Sequence, residues 1–514
     1  MMPPAWIKLK EPKKFRLHTM NTRIPFTWKQ HMPSRYLSRA VSTTIAVAAC
    51  FLPLRVATAE SPSTDNLPVK VYILSGQSNM VGIGQVGGGS VRWSGVTEAT
   101  VSVYPGPYSA TADYDAMKPL KKVELAEYGG GNPTPFPGGG TQVVRGFIEL
   151  KTSGVYKFTP GYQGSTTNIM ELDGDEVYRK EPEKNPRHAN FKIVGGQKYP
   201  FKITFLTADA TGLGWWSRTD IPGTLDTLVK EQGKFPHLIN DEGDYVARDD
   251  VWYKGLVTAT ANKPLSIGCG ANSNQIGPEL QFGHIMGDHH DAPVLILKTS
   301  QGNRSLGWDF LPPGSQPFTF DGRTYAGYKD EIPSWTAEDP GKKVNWYAGL
   351  QYDQCFEAVH KVLDNFDSEF PQWKGRGYEI AGFAWWQGHK DGNPAHASRY
   401  EQNLVKLIHS LRDEFKSPHA PFVIGTIGFG GWDMSGPHLT VANAQLAVSG
   451  KSGKHKEFDG NVVTVETRDF WQTPEVSPRN QDFHYNGNAA TYMMVGDALG
   501  RGMLELQGIQ SASR

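Results

Sequence analysis

The stretch VYILSGQSNMVGIGQVGGG, Val71 to Gly89, supports two incompatible readings. It contains a literal G-x-G-x-x-G at Gly82, Gly84 and Gly87, the pattern that cradles a dinucleotide pyrophosphate. It also sets Ser78 just past an apolar run, where an esterase keeps a nucleophile. The dinucleotide fingerprint requires its first glycine at a strand end and a helix opening at its third. Here Gly82 lies eight residues past Leu74, and the GGSVRWSG that follows Gly87 is a poor helix former. No Lys-Ser/Thr pair completes a phosphate loop. Ser78 fits its surroundings better. A strand ending at Leu74 and a turn through Ser75, Gly76 and Gln77 put its hydroxyl at the carboxyl edge of a sheet. The free N–H groups of the segment that starts there favour developing negative charge. The sequence is not G-x-S-x-G, so a strained nucleophile elbow is not indicated. Taken alone, a serine after a strand is more often a helix cap, so the reading needs partners.

Those partners follow other strands. NQDFHYNG offers His484 as a base, with Asp482 two residues earlier to orient the imidazole if the loop turns sharply. TSQGNRSLGWDFLPPG places Gly302 and Asn303 right after a buried-strand pattern, where a backbone N–H can face the site. WWQGHKDG places Gln387 after another, with an amide able to donate to an oxyanion. A buried structural glutamine is the bland alternative.

The same rhythm runs through much of the chain. LPVKVYIL (Leu67–Leu74), APVLILKT (Ala292–Thr299), YEIAGFAWW (Tyr378–Trp386), APFVIGTIG (Ala420–Gly428) and NVVTVETR (Asn461–Arg468) are short apolar runs. They suit strands buried on both faces of a parallel sheet. Helical periodicity marks Ala348–Phe366, Ser398–Phe415 and Asn488–Leu506. Strand–helix alternation predicts an α/β fold. The segment 94–249 breaks it with short alternating runs and turn signals such as DGD at Asp173–Asp175, the rhythm of a β-sandwich inserted after the first strand. The expected division is a leader over 1–59, the first strand and nucleophile over 60–93, the sandwich over 94–249 and the rest of the α/β core over 250–514.

With these residues assembled, SGQSNM, WWQGHKDG and DFHYNG resemble the SGNH/GDSL-type hydrolases, specifically the sialate O-acetylesterase-like carbohydrate esterases. The resemblance spans about Val69–Met80 and Ser266–Met503. It implies a three-layer α/β fold with a parallel central sheet, and no metal or organic cofactor. It implies Ser78 as nucleophile, His484 as base, and an oxyanion hole from the Ser78 and Gly302 N–H groups. Gln387 stands where other members use Asn. Asn303 and Asp391, the one acid still recognisable in the third block, are expected to meet substrate. Two departures stand out: the acid usually lies three residues before the histidine rather than two, and His389 and Lys390 replace acidic or polar residues. The triad acid is therefore Asp482, a residue elsewhere such as Asp469, or dispensable. Within the insertion, SGVYKFTPG, MELDGDEVY and QKYPFKITFL are similar to the anthrax protective antigen-type module. There Trp215 and Trp216 either stack on sugar or pack inward.

Composition narrows the alternatives. Lys+Arg and Asp+Glu both number 52 in 514 residues, which gives no footing for nucleic acid. Residues 1–39 carry nine lysines and arginines against the single acid Glu11, ahead of an apolar run over Ala40–Leu54 and an ATA site at Ala57–Ala59. That is the layout of a cleaved signal peptide, predicting a secreted or periplasmic protein without a stable membrane span, with lipidation at Cys50 ranked second. Export permits a Cys269–Cys355 bridge that spacing alone cannot establish. The leading expectation is an exported carbohydrate O-acetylesterase acting on acetylated sugars. A sugar-binding surface protein with a degenerate hydrolase core competes with it. So does a metal-dependent hydrolase using His284, Asp288, His289, His290 and Asp291.

Overall fold

The computed structural model describes residues 67–89, 91–92, 95–105, 109, 111–125, 140–163, 167–206 and 210–508. The proposed leader, its cleavage site and Cys50 lie outside them. Seven strands form the central sheet: β1 (Val69–Gly76), β2 (Val251–Gly255), β3 (Asn262–Pro264), β4 (Val294–Ser300), β5 (Tyr378–Trp386), β6 (Phe422–Gly425) and β7 (Val462–Val465). Their order is β3-β2-β4-β1-β5-β6-β7. All neighbours are parallel except the edge pair β2/β3. Four of the five apolar runs of the sequence are interior strands, the fifth is the edge strand β7, and β4 is buried along its whole length. From β1 the chain leaves to one side for β2 and β4, then crosses to β5 on the other. In open α/β sheets a ligand crevice forms at such a reversal, beyond the carboxyl ends of the strands.

Helices cover both faces: α1 (Ser78–Val81), α2 (Glu279–His289), α3 (Leu350–Leu363), α4 (Pro394–Glu414), α5 (Gly436–Val448) and α6 (Ala489–Leu506). The adjacent tryptophans at the end of β5 report the layering, because successive strand side chains point to opposite faces. Trp385 Nε1 donates to the Tyr400 hydroxyl of α4 on one face. Trp386 packs edge-to-face on Tyr492 of α6 on the other. Cys269 and Cys355 are both free and buried, and burial pushes their thiols up to about 11 and about 12.

The interruption between β1 and β2 holds two antiparallel sheets, of seven and four strands, between Val91 and Arg218. They share one apolar core, with Val144, Met170, Phe201 and Ile203 from the larger sheet against Tyr156, Phe158 and Ile193 from the smaller. Trp216 turns inward, edge-to-face with Tyr156 at 5.0 Å, whereas Trp215 is 40% exposed. This sandwich is narrower than the sequence rhythm suggested. After Arg218, Leu225, Leu228, Val229 and Leu238 join the core of the α/β unit instead. The insertion's two ends meet, since the Gly88 N–H donates to the Arg218 carbonyl at 3.0 Å. Gly84–Gln85 pairs antiparallel with Gln275–Ile276, and no helix opens at Gly87, so the glycine-rich stretch lacks dinucleotide-binding architecture.

Candidate active site

Three strand ends stand level. Gly76 pairs in register with Ser300 of β4 and with Trp386 of β5. The next residues of each strand therefore enter the same crevice: Gln77 and Ser78, Gln301 and Gly302, and Gln387. Gly76 makes this approach possible, because a Cβ there would lie 2.2 Å from the Trp386 carbonyl oxygen and its φ is +153°. Across the gap, a Cβ on Gly302 would stand 3.6 Å from Ser78 Cβ. Ser78 opens α1, and among the described residues neither its N–H nor that of Gly302 has a hydrogen-bond acceptor. Two unengaged donors beside a half-buried hydroxyl suit a developing oxyanion.

The floor beneath α1 is charged. Lys298 and Glu279 form an ion pair with both side chains at 0% exposure. The Lys298 ammonium donates to Glu279 Oε2 at 2.8 Å, the Val81 carbonyl at 2.7 Å and the Cys269 carbonyl at 2.9 Å. Glu279 Oε1 accepts from the Gly277 N–H. All three ammonium protons are matched, which is what a charge without water requires.

His484 lies on a turn spanning Asp482–Gly487 whose backbone is held from outside. Tyr485 and Asn486 both sit in the left-handed region, at φ 48° and 54°. For a tyrosine this costs on the order of 1–3 kcal/mol, and it persists only where surroundings over-determine it. Here the Tyr485 hydroxyl accepts from the Gly428 N–H at 2.8 Å and its ring stacks on Trp386 at 5.1 Å. Asn486 Oδ1 accepts from the Gln481 N–H at 2.7 Å. Asn79 Nδ2 donates to the Phe483 carbonyl at 3.0 Å, and the Tyr492 hydroxyl lies 2.8 Å from Asn79 Oδ1 and 3.2 Å from the His484 carbonyl. The residue after Ser78 thus fastens the loop of His484. Nothing in the local sequence around Asn79 signals that role. Burial, reinforced by His389 and Arg479, pushes His484 down to about 4 and keeps the imidazole neutral.

Other expected residues are placed differently. Among the described residues no hydrogen bond joins Asp482 to His484. Desolvation raises the Asp482 carboxyl, and the charge opposing that rise is His438. The backbone departs from helical geometry at His484 (φ −116°, ψ 29°), and Asp482 is not among the charges that shift its imidazole. The position three before His484 is Gln481. Asp469 is also engaged elsewhere, accepting from Trp432 Nε1 at 2.7 Å. Gln387 is 1% exposed, and its Nε2 faces Asp391 Oδ2 at 2.7 Å, the Arg304 carbonyl at 2.9 Å and Gln77 Oε1 at 3.3 Å. With two amide protons and three acceptors, it braces the crevice instead of presenting a free donor. Asp391 is 0% exposed and accepts from the Leu306 and Gly307 N–H groups at 2.8 Å, so the expected substrate contact is a buried clasp on the loop after β4. Asn303 is exposed beside Gly302, at φ 57°. The histidine-rich GHIMGDHHDA segment does not converge: Arg248 bonds His284 and Asp288, while His290 bonds the Tyr72 hydroxyl.

Compared with known proteins, residues 250–504 match the family of carbohydrate esterases described as sialic acid-specific acetylesterases. The match covers just under half of the chain. The esterase-family match begins at β2, so it contains Gly302, Gln387 and His484, while β1 and Ser78 enter the same sheet from the far side of the sandwich. Among solved structures, a carbohydrate acetylesterase from Xanthomonas citri is 12% identical, with 71% of each chain covered and a TM-score of 0.33. A protein of Arabidopsis thaliana is 15% identical over 50% of this chain and 82% of its own, with a TM-score of 0.32. The PA14 domain of the antifreeze protein MpAFP is 13% identical over 25% of this chain and 84% of its own, with a TM-score of 0.19. Among the described residues no helix is long and apolar enough to cross a membrane.

Proposed function

We propose that this esterase-family chain is an exported SGNH-type carbohydrate O-acetylesterase working through a serine acyl-enzyme. The observation that carries the reading is the in-register meeting of Gly76, Ser300 and Trp386, which sets Ser78 beside Gly302 at one sheet edge. Ser78 Oγ attacks the acetyl carbonyl while neutral His484 takes its proton. The N–H groups of Ser78 and Gly302 hold the oxyanion. As the C–O bond breaks, the sugar oxygen leaves with the proton from His484, and an acetyl-Ser78 ester remains. Water, deprotonated by His484, then releases acetate and restores the serine. We assign Gln387 and Asp391 positioning roles, leave Asn303 at the mouth to meet substrate, and treat the pair as a Ser–His dyad whose base is oriented by its loop. Export is supported by the basic lead and the apolar run at Ala40–Leu54.

The test is acetate release from a panel of acetylated polysaccharides, alongside hydrolysis of p-nitrophenyl acetate, by wild type and Ser78→Ala. Release by wild type alone is the expected result. A wild-type protein that hydrolyses no acetyl ester would leave the sugar-binding reading in its place.

A further inference from the structure

Trp432 is 62% exposed, far more than the other tryptophans that line the α/β unit, yet it is held on two sides. Its Nε1 donates to Asp469 Oδ1 at 2.7 Å, fixing the ring edge. The Arg468 guanidinium lies 4.1 Å from the ring centroid and covers one face. Arg468 is itself 9% exposed and gripped by Glu466, with Nε to Oε1 at 2.9 Å and Nη2 to Oε2 at 2.6 Å. Its charge is thereby neutralised, so it backs the indole without drawing an anion to it. Two successive left-handed glycines, Gly430 (φ 68°) and Gly431 (φ 60°), raise the ring on the turn that follows β6. This is the same carboxyl edge that bears Ser78. The connection is short: Phe429 packs 5.0 Å from Tyr485, the neighbour of His484. A half-exposed indole ordinarily packs flat against apolar neighbours; an indole locked at its edge and backed on one face is a platform with its ordering cost already met.

From this geometry we infer that Trp432 is a stacking subsite for a neutral pyranose ring of an oligosaccharide, which deepens and rests on the esterase reading above. A pyranose whose hydroxyls are all equatorial turns axial C–H groups to each face, and these seat on the negative face of an aromatic ring. Xylose and glucose units have this form. Asp433 follows Trp432 in the chain and Asp469 holds the ring edge, and both are exposed acidic residues. They accept hydrogen bonds from sugar hydroxyls and repel a sugar carboxylate. The site therefore selects neutral chains over sialylated or uronate-rich ones, a narrower and different substrate class from the one in the family's description.

Calorimetric titration of the full wild-type chain with unacetylated xylohexaose, cellohexaose and hexagalacturonate tests this without reference to hydrolysis. Saturable binding of at least one neutral hexaose is expected, with hexagalacturonate at least tenfold weaker. Trp432→Ala should weaken the neutral hexaose at least tenfold and Trp432→Phe at most threefold. Asp469→Ala, which frees the ring edge, should fall between them and stands in if Trp432→Ala misfolds. Absence of binding to both neutral hexaoses, equal affinity in Trp432→Ala, or equal affinity for hexagalacturonate would each overturn the subsite. Binding as expected in a protein that releases no acetate would instead retain the subsite and remove the esterase reading.

Discussion

Asn79 and Phe483, 404 positions apart in the chain, are joined by one hydrogen bond from the Asn79 side-chain amide to the Phe483 carbonyl. It ties the residue after Ser78, the proposed nucleophile, to the residue before His484, the proposed base. Asn79→Ala leaves the Phe483 carbonyl without its partner and the Tyr492 hydroxyl with the His484 carbonyl but no Asn79 oxygen, costing about 1–3 kcal/mol of stability. With the His484 loop released, kcat should fall roughly ten- to a hundredfold while KM moves little, because chemistry rather than substrate contact is disturbed. Steady-state kinetics with a small acetyl ester, paired with thermal unfolding, check both halves.

Ser78→Ala should abolish ester hydrolysis and leave Tm nearly unchanged, since among the described residues the hydroxyl has no hydrogen-bond partner to lose. His484→Ala should be comparably damaging. Nucleophile and base act as a unit, so the double variant should be little worse than either single. Residual activity within tenfold of wild type in the Ser78 variant would remove it as nucleophile.

Asp482→Asn should cost less than about tenfold in kcat, whereas loss of a carboxylate bonded to a catalytic histidine costs up to about 10⁴. A loss of three or more decades, measured in single turnover, would mean that Asp482 swings onto His484 in the working complex and that the dyad reading is wrong.

The pH dependence has a fixed sign. His484 acts only when neutral, and burial has moved its pKa from 6.5 to about 4. The acid limb of kcat/KM, which reports the free enzyme, should therefore lie near pH 4 instead of 6.5. Stability moves the same way. His284 and His290 are also pushed down to about 4 by burial, so the unfolded chain binds protons that the native state refuses as pH falls from 6.5. Tm measured between pH 7 and pH 4 should drop by several degrees. A flat profile would place these imidazoles in water.

The sandwich should be separable only at its own boundary. Replacing residues 90–217 with a short linker exploits the contact between Gly88 and Arg218, and should preserve hydrolysis of a small acetyl ester. Extending the deletion through Asp249 removes Leu225, Leu228, Val229 and Leu238 from the main core and should yield insoluble protein. Solubility and circular dichroism of the two variants decide it.

What the sequence discloses of this arrangement is what leaves a local trace. Buried parallel strands write continuous apolar runs, so β1, β4, β5 and β6 are readable, and a residue just past each run is automatically at the active edge. Trp216 and Trp215 follow the strand alternation in the same way. The contacts that decide roles are long-range and leave none. Gln387 reads as a free amide until Asp391, Arg304 and Gln77 close around it. Asp482 reads as the partner of His484, yet among the described residues no hydrogen bond joins the two. The segment 219–249 has too little periodicity to reveal that it returns to the first core.

The separation of β1 from its partners sets a timetable for biosynthesis. β1 is made before the whole sandwich, but β4, the first strand to pair with it, is complete only after about 220 further residues, roughly ten to forty seconds of translation at 5–20 residues per second. β5 follows later still. During that interval the sandwich has every strand it needs and can fold, while β1, an interior strand of the seven-stranded sheet, has neither neighbour. β1 is therefore the segment most exposed to mispairing on the nascent chain, and the point at which a chaperone gains most by holding on.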